Sequence, residues 1–310
     1  MDLPVLRREE QRKILLGMRK QEAGSMTERT KGLLWNLVLY AAAFVAGGIL
    51  FFLIENLLLA EAAFTVTATL VIFTVTCFYP DTSLYDPYWS IAPPVMLFLA
   101  MLKYRLWNIN SVLMLFVVCV WSLRLTANWY YTYLGLGHED WRYRQYREKL
   151  GKAGFFLINL VGLQMVPTIV VYAGLIGAFF VIQAPEFRVL TIAGYLVMLA
   201  AVGLEYLSDH AIHEFLLAHP GERKSCDVSV WRYSRHPNYL GEMSFWTGIF
   251  IVYFVLYPAE WYYGLGFLSI IALFMFVSIP MMEKHNLERR PDYAVYREKT
   301  SRIFLLPPKS

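Results

Sequence analysis

The sequence predicts an all-α fold: a polytopic membrane bundle of seven or eight spanning helices, eight preferred, with both termini cytoplasmic. Three observations lead there. The 310 residues are 57% hydrophobic and 17% charged, with mean hydropathy +0.43, whereas soluble domains carry about 25% charged residues. The apolar residues arrive in long blocks rather than as stripes along amphipathic segments. Segments of alternating polarity are missing, which excludes a membrane barrel and leaves helices to satisfy their own backbone in lipid. So apolar a chain cannot stay disordered either.

A bilayer core about 30 Å thick needs roughly 17–25 apolar residues in helix. Blocks of this kind run near 33–59, 63–79, 88–106, 110–133, 155–183, 187–217, 240–257 and 261–282. The third contains Pro93, Pro94 and Lys103, and only Pro258, Ala259 and Glu260 part the last two. With eight crossings, the inside segments are 1–32, 80–87, 134–154, 218–239 and 283–310, and they hold 24 of the 28 Lys and Arg. Lys103, Arg105 and Arg188 fall outside, and Arg124 lies within a span. That asymmetry is what the positive-inside rule requires. Seven crossings, with the first block lying in the interface, is the alternative. Residues 1–32 lack the apolar core and cleavage site of a signal peptide and read as a basic membrane-surface segment. Cys77, Cys119 and Cys226 form no CxxC pair and no disulfide framework.

An ionisable residue at membrane depth costs at least about 2.5–3.5 kcal/mol and is a functional candidate by default. Four places qualify. Asp86, between Tyr85 and Tyr88, begins a helix broken by Pro93 and Pro94, although a helix cap and interfacial tyrosines are equally ordinary readings. Trp121, Arg124 and Asn128 share one helical face in mid-span. Glu205, Asp209 and His213 share another; metal ligation by His210 and His213 lacks the remaining ligands, so a polar face toward a cavity or the cytosol is expected. The fourth is Trp231–Glu242, WRYSRHPNYLGE. There Arg232, Arg235 and His236 precede a proline at a helix N-terminus, where free N–H groups and arginine forks suit a phosphate. Lipid-headgroup anchoring is the competing explanation, but it leaves Asn238 and Glu242 unaccounted for.

At these residues the chain resembles the steroid 5α-reductase superfamily, in its bacterial-type DUF1295 branch. The resemblance extends to Trp121–Leu125, Asp140–Tyr143 and the tail from Glu288 through Arg302 to Pro307. It covers roughly 80–308 as a catalytic membrane domain, with the cofactor site in 205–308, and leaves two additional spans at 33–79. It implies an oxidoreductase that binds NADPH and transfers hydride to the C=C bond of a lipophilic enone, steroid-like, isoprenoid or fatty-acyl. The cofactor-binding positions fall on Asp209, Asn238, Glu242 and Arg302, with Arg235, His236 and Tyr239 beside them. The catalytic carboxylate falls on Asp86, with Pro93 as the following proline. The family's catalytic Tyr falls on Trp121, which is no acid, so Tyr85 or Tyr88 is the substitute. A phosphate-binding Arg falls on Leu216, and a Gly preceding the RHPNY segment is Ser229.

Hydride arrival builds negative charge on the carbonyl oxygen, which a buried acid would meet. Asp86, alone or through Tyr85 or Tyr88, is that acid, and Arg124 is expected to fix its geometry. The substrate would come from the bilayer; membrane lipids, not nucleic acid, are the other expected partners. The site would face the cytoplasm, in a bacterial inner membrane or the endoplasmic reticulum of a eukaryote. Two rival functions remain. One is an S-adenosylmethionine-dependent methyltransferase of the isoprenylcysteine or phospholipid type, which shares RHPxY and a tail that Glu283, Leu287, Tyr293 and Tyr296 fit loosely. The other is a non-catalytic membrane scaffold or lipid-binding protein.

Overall fold

The computed structural model describes residues 28–78, 81–137 and 139–309. Most of the surface segment expected at 1–32 lies outside the described residues. Among those residues every regular element is helical: α1 Glu28–Leu53, α2 Leu57–Phe78, α3 Tyr88–Tyr104, α4 Ile109–Thr132, α5 Trp141–Ile158, α6 Val166–Val181, α7 Thr191–Ala218, α8 Pro237–Leu256, α9 Phe267–Leu273, α10 Ile279–Arg289 and α11 Tyr293–Lys299. A π-helical segment at Asn159–Met165 joins α5 to α6, and one at Phe274–Ser278 joins α9 to α10. Among the described residues, seven helical stretches are long and apolar enough to cross a membrane: Arg29–Leu53, Leu57–Phe78, Ile109–Thr132, Trp141–Val181, Thr191–Ala218, Pro237–Leu256 and Trp261–Arg289. The proline-containing α3, at 17 residues, is shorter and packs among them.

The boundaries differ from the hydropathy blocks for local reasons. The first break falls at Ile54–Asn56 rather than after residue 59, because Asn56 Oδ1 accepts from Leu59 N and starts α2. The last-but-one span begins at Pro237 rather than 240, since proline suits a first helical turn. The stretch expected at 155–183 begins at Trp141 with a polar extension, interrupted at Gly151 with φ 63°. Only glycine takes that backbone without strain.

The connections sort into two ends. At one, Lys103 Nζ donates to the carbonyls of Phe51 and Ile54, and Asn108 and Asn110 donate to carbonyls of Ile182, Ala184 and Glu186. Arg188 reaches Val255 O at the same end. At the other, Arg29 donates to Tyr130 O, the 82–83 turn meets Glu139 and Asp140, and Ser225 meets Asp292. Basic segments that the sequence assigns to one side therefore gather at one end.

Small residues set how closely α7 and α8 approach, as expected where lipid supplies no hydrophobic drive between helices. A Cβ at Gly248 would lie 3.0 Å from Gly194 O and 3.1 Å from Met198 N. One at the helical Gly203 would meet nothing within 4 Å. Gly248→Val should therefore cost about 1–3 kcal/mol through overpacking. Gly203→Ala should be neutral or stabilise by up to about 1 kcal/mol. Thermal unfolding of both variants in detergent checks the contrast.

Candidate active site

Three helices bring the charged residues of the mid-membrane region together. α4 contributes Trp121, Arg124 and Asn128; α7 contributes Glu205 and Asp209, one turn apart; α8 contributes Glu242 and, four residues on, Trp246. Arg124 lies 2.6 Å from Glu205, 2.7 Å from Asp209 and 3.9 Å from Glu242. Indole Nε1 atoms of Trp121 and Trp246 donate to the two Glu242 oxygens at 3.1 and 2.8 Å. Trp121 is fully buried and stacks on Phe245 at 4.9 Å. Gly241 makes the arrangement possible, because a Cβ there would collide with the Glu205 side chain. Arg124 Nε, Asn128 Oδ1 and Glu205 Oε1 remain without hydrogen-bond partners in this centre.

Asp86 is placed apart from this cluster. It follows the 3-10 turn Thr82–Tyr85, which Asp81 caps by accepting from Ser83 N. Its Oδ1 accepts from Tyr143 Oη at 2.5 Å. Burial pushes its carboxyl up to about 7, against the Tyr143 hydrogen bond and the Arg142 charge, which favour the carboxylate. Tyr143 is held in turn by its neighbours: Asp140 pairs with Arg142 at 2.8 Å, and Trp141 stacks on His285 at 3.7 Å.

Two expectations change here. Arg124 does not orient Asp86; its ion pairs are with Glu205, Asp209 and Glu242. Nor do Tyr85 and Tyr88 serve Asp86. Tyr85 Oη donates to Gln164 O and meets Thr168 Oγ1, while Tyr88 Oη donates to Thr65 O. Both rings are buried against α2 and α6, one residue before and two after Asp86, so they cannot turn the same way as its carboxyl. The tyrosine that is hydrogen-bonded to Asp86 is Tyr143.

The RHPNY segment is a structural joint. Ser229 has φ 53°, so the left-handed backbone that favours glycine is kept although the residue is serine. Arg235 N donates to Ser301 O, and its guanidinium pairs with Glu283 at 3.2 Å. His236 Nε2 lies 3.3 Å from the same carboxylate. Burial lowers the His236 pKa, against the pull of the Glu283 carboxylate. Tyr239 lies parallel to His236 and also contacts Phe274. Asn238 is half-buried with no hydrogen bond to a described residue, and Arg302 is exposed.

Sequence reasoning missed four participants. Tyr143 lay inside a recognised motif, but only the turn of α5 aims it at Asp86. Glu205 is legible in the sequence as part of a polar face but not as Arg124's nearest partner, and nothing in the sequence singles out Trp246. Glu61 is fully buried in α2 with neither oxygen bonded to a described residue. The membrane cost of charge was the available signal for it.

Fold and site together define a polytopic helical membrane protein in which an Arg124-centred cluster and the Asp86–Tyr143 pair stand apart among the described residues. The chain belongs to the DUF1295 family, described as a protein of unknown function, whose match covers residues 72–300. An uncharacterized protein of Schizosaccharomyces pombe is similar, 26% identical over 290 residues, spanning 84% of this chain and 79% of that one. No solved structure matches the chain.

The Asp86 carboxyl gives stability a pH slope. The folded protein keeps this proton up to about pH 7, whereas the unfolded chain releases it near 3.8. The folded state thus binds more protons in that window, so stability falls as pH rises through it and levels above. Asp86→Asn should abolish this contribution, and Tyr143→Phe should extend it to higher pH. Unfolding in detergent across pH 4–9 tests both; an unchanged slope in Asp86→Asn would show that Asp86 is not the buried acid.

Proposed function

We propose that the protein is a membrane reductase that uses NADPH to saturate the C=C bond of a lipophilic enone. The observation that carries this reading is the Asp86–Tyr143 pair, its tyrosine buried and its carboxyl half-buried. Tyr143 occupies Oδ1, which leaves Oδ2 to hold a proton. A carboxyl at about 7 is matched to donating that proton near neutral pH. The resemblance of WRYSRHPNYLGE to the steroid 5α-reductase signature supports the same reading.

The residues present fit the cofactor. The unpartnered Arg124 Nε, Asn128 Oδ1 and Glu205 Oε1, with the free Asn238 amide, offer both donors and acceptors on α4, α7 and α8. That mixture suits ribose hydroxyls and a carboxamide, with Asp209 and Glu242 orienting the set through Arg124. Arg302 and Arg232, both exposed, would meet the phosphates. Arg235 and His236, already engaged by Glu283, hold the head of α8 and the tail together instead. When bound, NADPH supplies the hydride. Asp86 would give its Oδ2 proton to the carbonyl oxygen where charge develops, leaving an enol that tautomerises to the saturated ketone, and Tyr143 would keep the carboxyl aimed by its hydrogen bond.

Thermal stability of the detergent-purified protein, titrated with NADPH, NADH and S-adenosylmethionine, tests the assignment. A ligand at 100 times its Kd adds about 2.7 kcal/mol, and NADPH is expected to give that gain. Asp86→Asn should retain it while enone-dependent NADPH oxidation is lost. Stabilisation by S-adenosylmethionine alone would replace this reading with a methyltransferase.

A further inference from the structure

A cleft of about 300 Å³ opens at the basic end of the bundle, lined by Trp35, Leu39, Val75, Phe78, Leu84 and Leu136. Trp35 and Leu39 come from α1, Val75 and Phe78 from α2, and Leu84 from the turn that leads into Asp86. Tyr40 Oη closes the α1 side by donating to Leu84 O at 2.8 Å. No lining residue is polar. The mouth is continuous with the lipid-facing surface, since Trp35 is 55% and Phe78 87% exposed. Beside it lies an unexplained group: Asn36, only 5% exposed, has neither its amide nitrogen nor its oxygen hydrogen-bonded. Asn36 shares a helical face with Leu39 and Tyr40, three and four residues on. An unpaired buried amide costs about 1–3 kcal/mol, so its retention calls for a ligand.

We propose that this cleft holds the linear hydrocarbon tail of the substrate, with Asn36 taking the polar group where the tail begins. The proposal rests on the reductase reading and narrows its substrate class. The cleft takes its substrate from the bilayer between α1 and α2, and Leu84 on its wall lies two residues before Asp86 in the chain. A fused-ring enone with oxygens at both ends would leave one of them unpaired in an apolar slot; a straight chain would not. Because α1 lies outside the family match, the element that selects the tail is not part of the shared domain.

The test uses the full chain in detergent and a long-chain unsaturated methyl ketone bearing a diazirine at its far end. Photolabelling is expected in the Trp35–Leu39 and Val75–Phe78 segments. It should drop at least about tenfold in Leu39→Trp, which fills the cleft, and resist competition by a rigid fused-ring enone. Asn36→Leu removes the unpaired amide, so it should raise Tm by about 2–4 °C while also reducing labelling; it decides the matter if Leu39→Trp does not fold. Labelling spread evenly over lipid-facing residues, equal competition by the fused-ring enone, or a lower Tm in Asn36→Leu would overturn the proposal. Labelled cleft without NADPH-dependent reduction of the probe would keep the tail site and remove the reductase reading; reduction with labelling elsewhere would do the reverse.

Discussion

Arg124 is the constraint on which the central bundle is built. A guanidinium in mid-span must be met by opposite charge or water, and here Glu205 and Asp209 of α7 and Glu242 of α8 surround it. Three carboxyl groups stand about one arginine, and the indoles of Trp121 and Trp246 donate to the oxygens of Glu242. Meeting those demands fixes the relative heights of α4, α7 and α8. It also requires Gly241, since any side chain there would displace Glu205. A buried pair of this kind is weak evidence for stability, because desolvation offsets much of the attraction. Its value lies in specifying one register among helices that lipid would otherwise let slide.

The second centre depends on a different set of ties. Asp86 stands where the short turn before α3 meets the start of α5, and the contacts across that seam come from both chains of residues. Asp81 receives Gly137 N, Glu139 receives Thr82 N, and Ser83 Oγ receives Asp140 N. These bonds hold Tyr143 against Asp86 from a segment more than fifty residues away. Glu139 also pairs with Arg147 at 2.7 Å, which pins the far side of the same segment.

Much of the architecture was legible in residue type. Long apolar blocks and the one-sided placement of Lys and Arg gave the helices and the two ends, because the cost of unsatisfied backbone and of charge in lipid acts on each segment separately. Ranges were less legible: Asn56 and Gly151 set breaks by hydrogen bonding and backbone conformation, to which averaged hydropathy is blind. Asp86, Arg124, Asp209 and Glu242 could be singled out one at a time, since each violates the rule against buried polarity. Tyr143 and Trp246 could not, because tyrosine and tryptophan are ordinary in a membrane protein until a partner is seen.

Pairing is where local reading stops. Spacing of three and four residues places Arg124 on a face with Trp121, and Glu205 on a face with Asp209, within single helices. Whether Arg124 would meet Asp86 or the α7 carboxylates depended on which helices touch, and that is decided by the small residues that let α7 and α8 close up around α4. Likewise, the basic RHPNY joint was visible as a cluster, yet its engagement by Glu283 follows from the path of the tail over the end of α8. Composition and periodicity settled the solvent, the element type and the list of exceptional residues, since those are properties of short stretches. The partners of those residues were left to tertiary packing, because a charge in a low-dielectric interior takes the counter-charge that the neighbouring backbone happens to bring within reach.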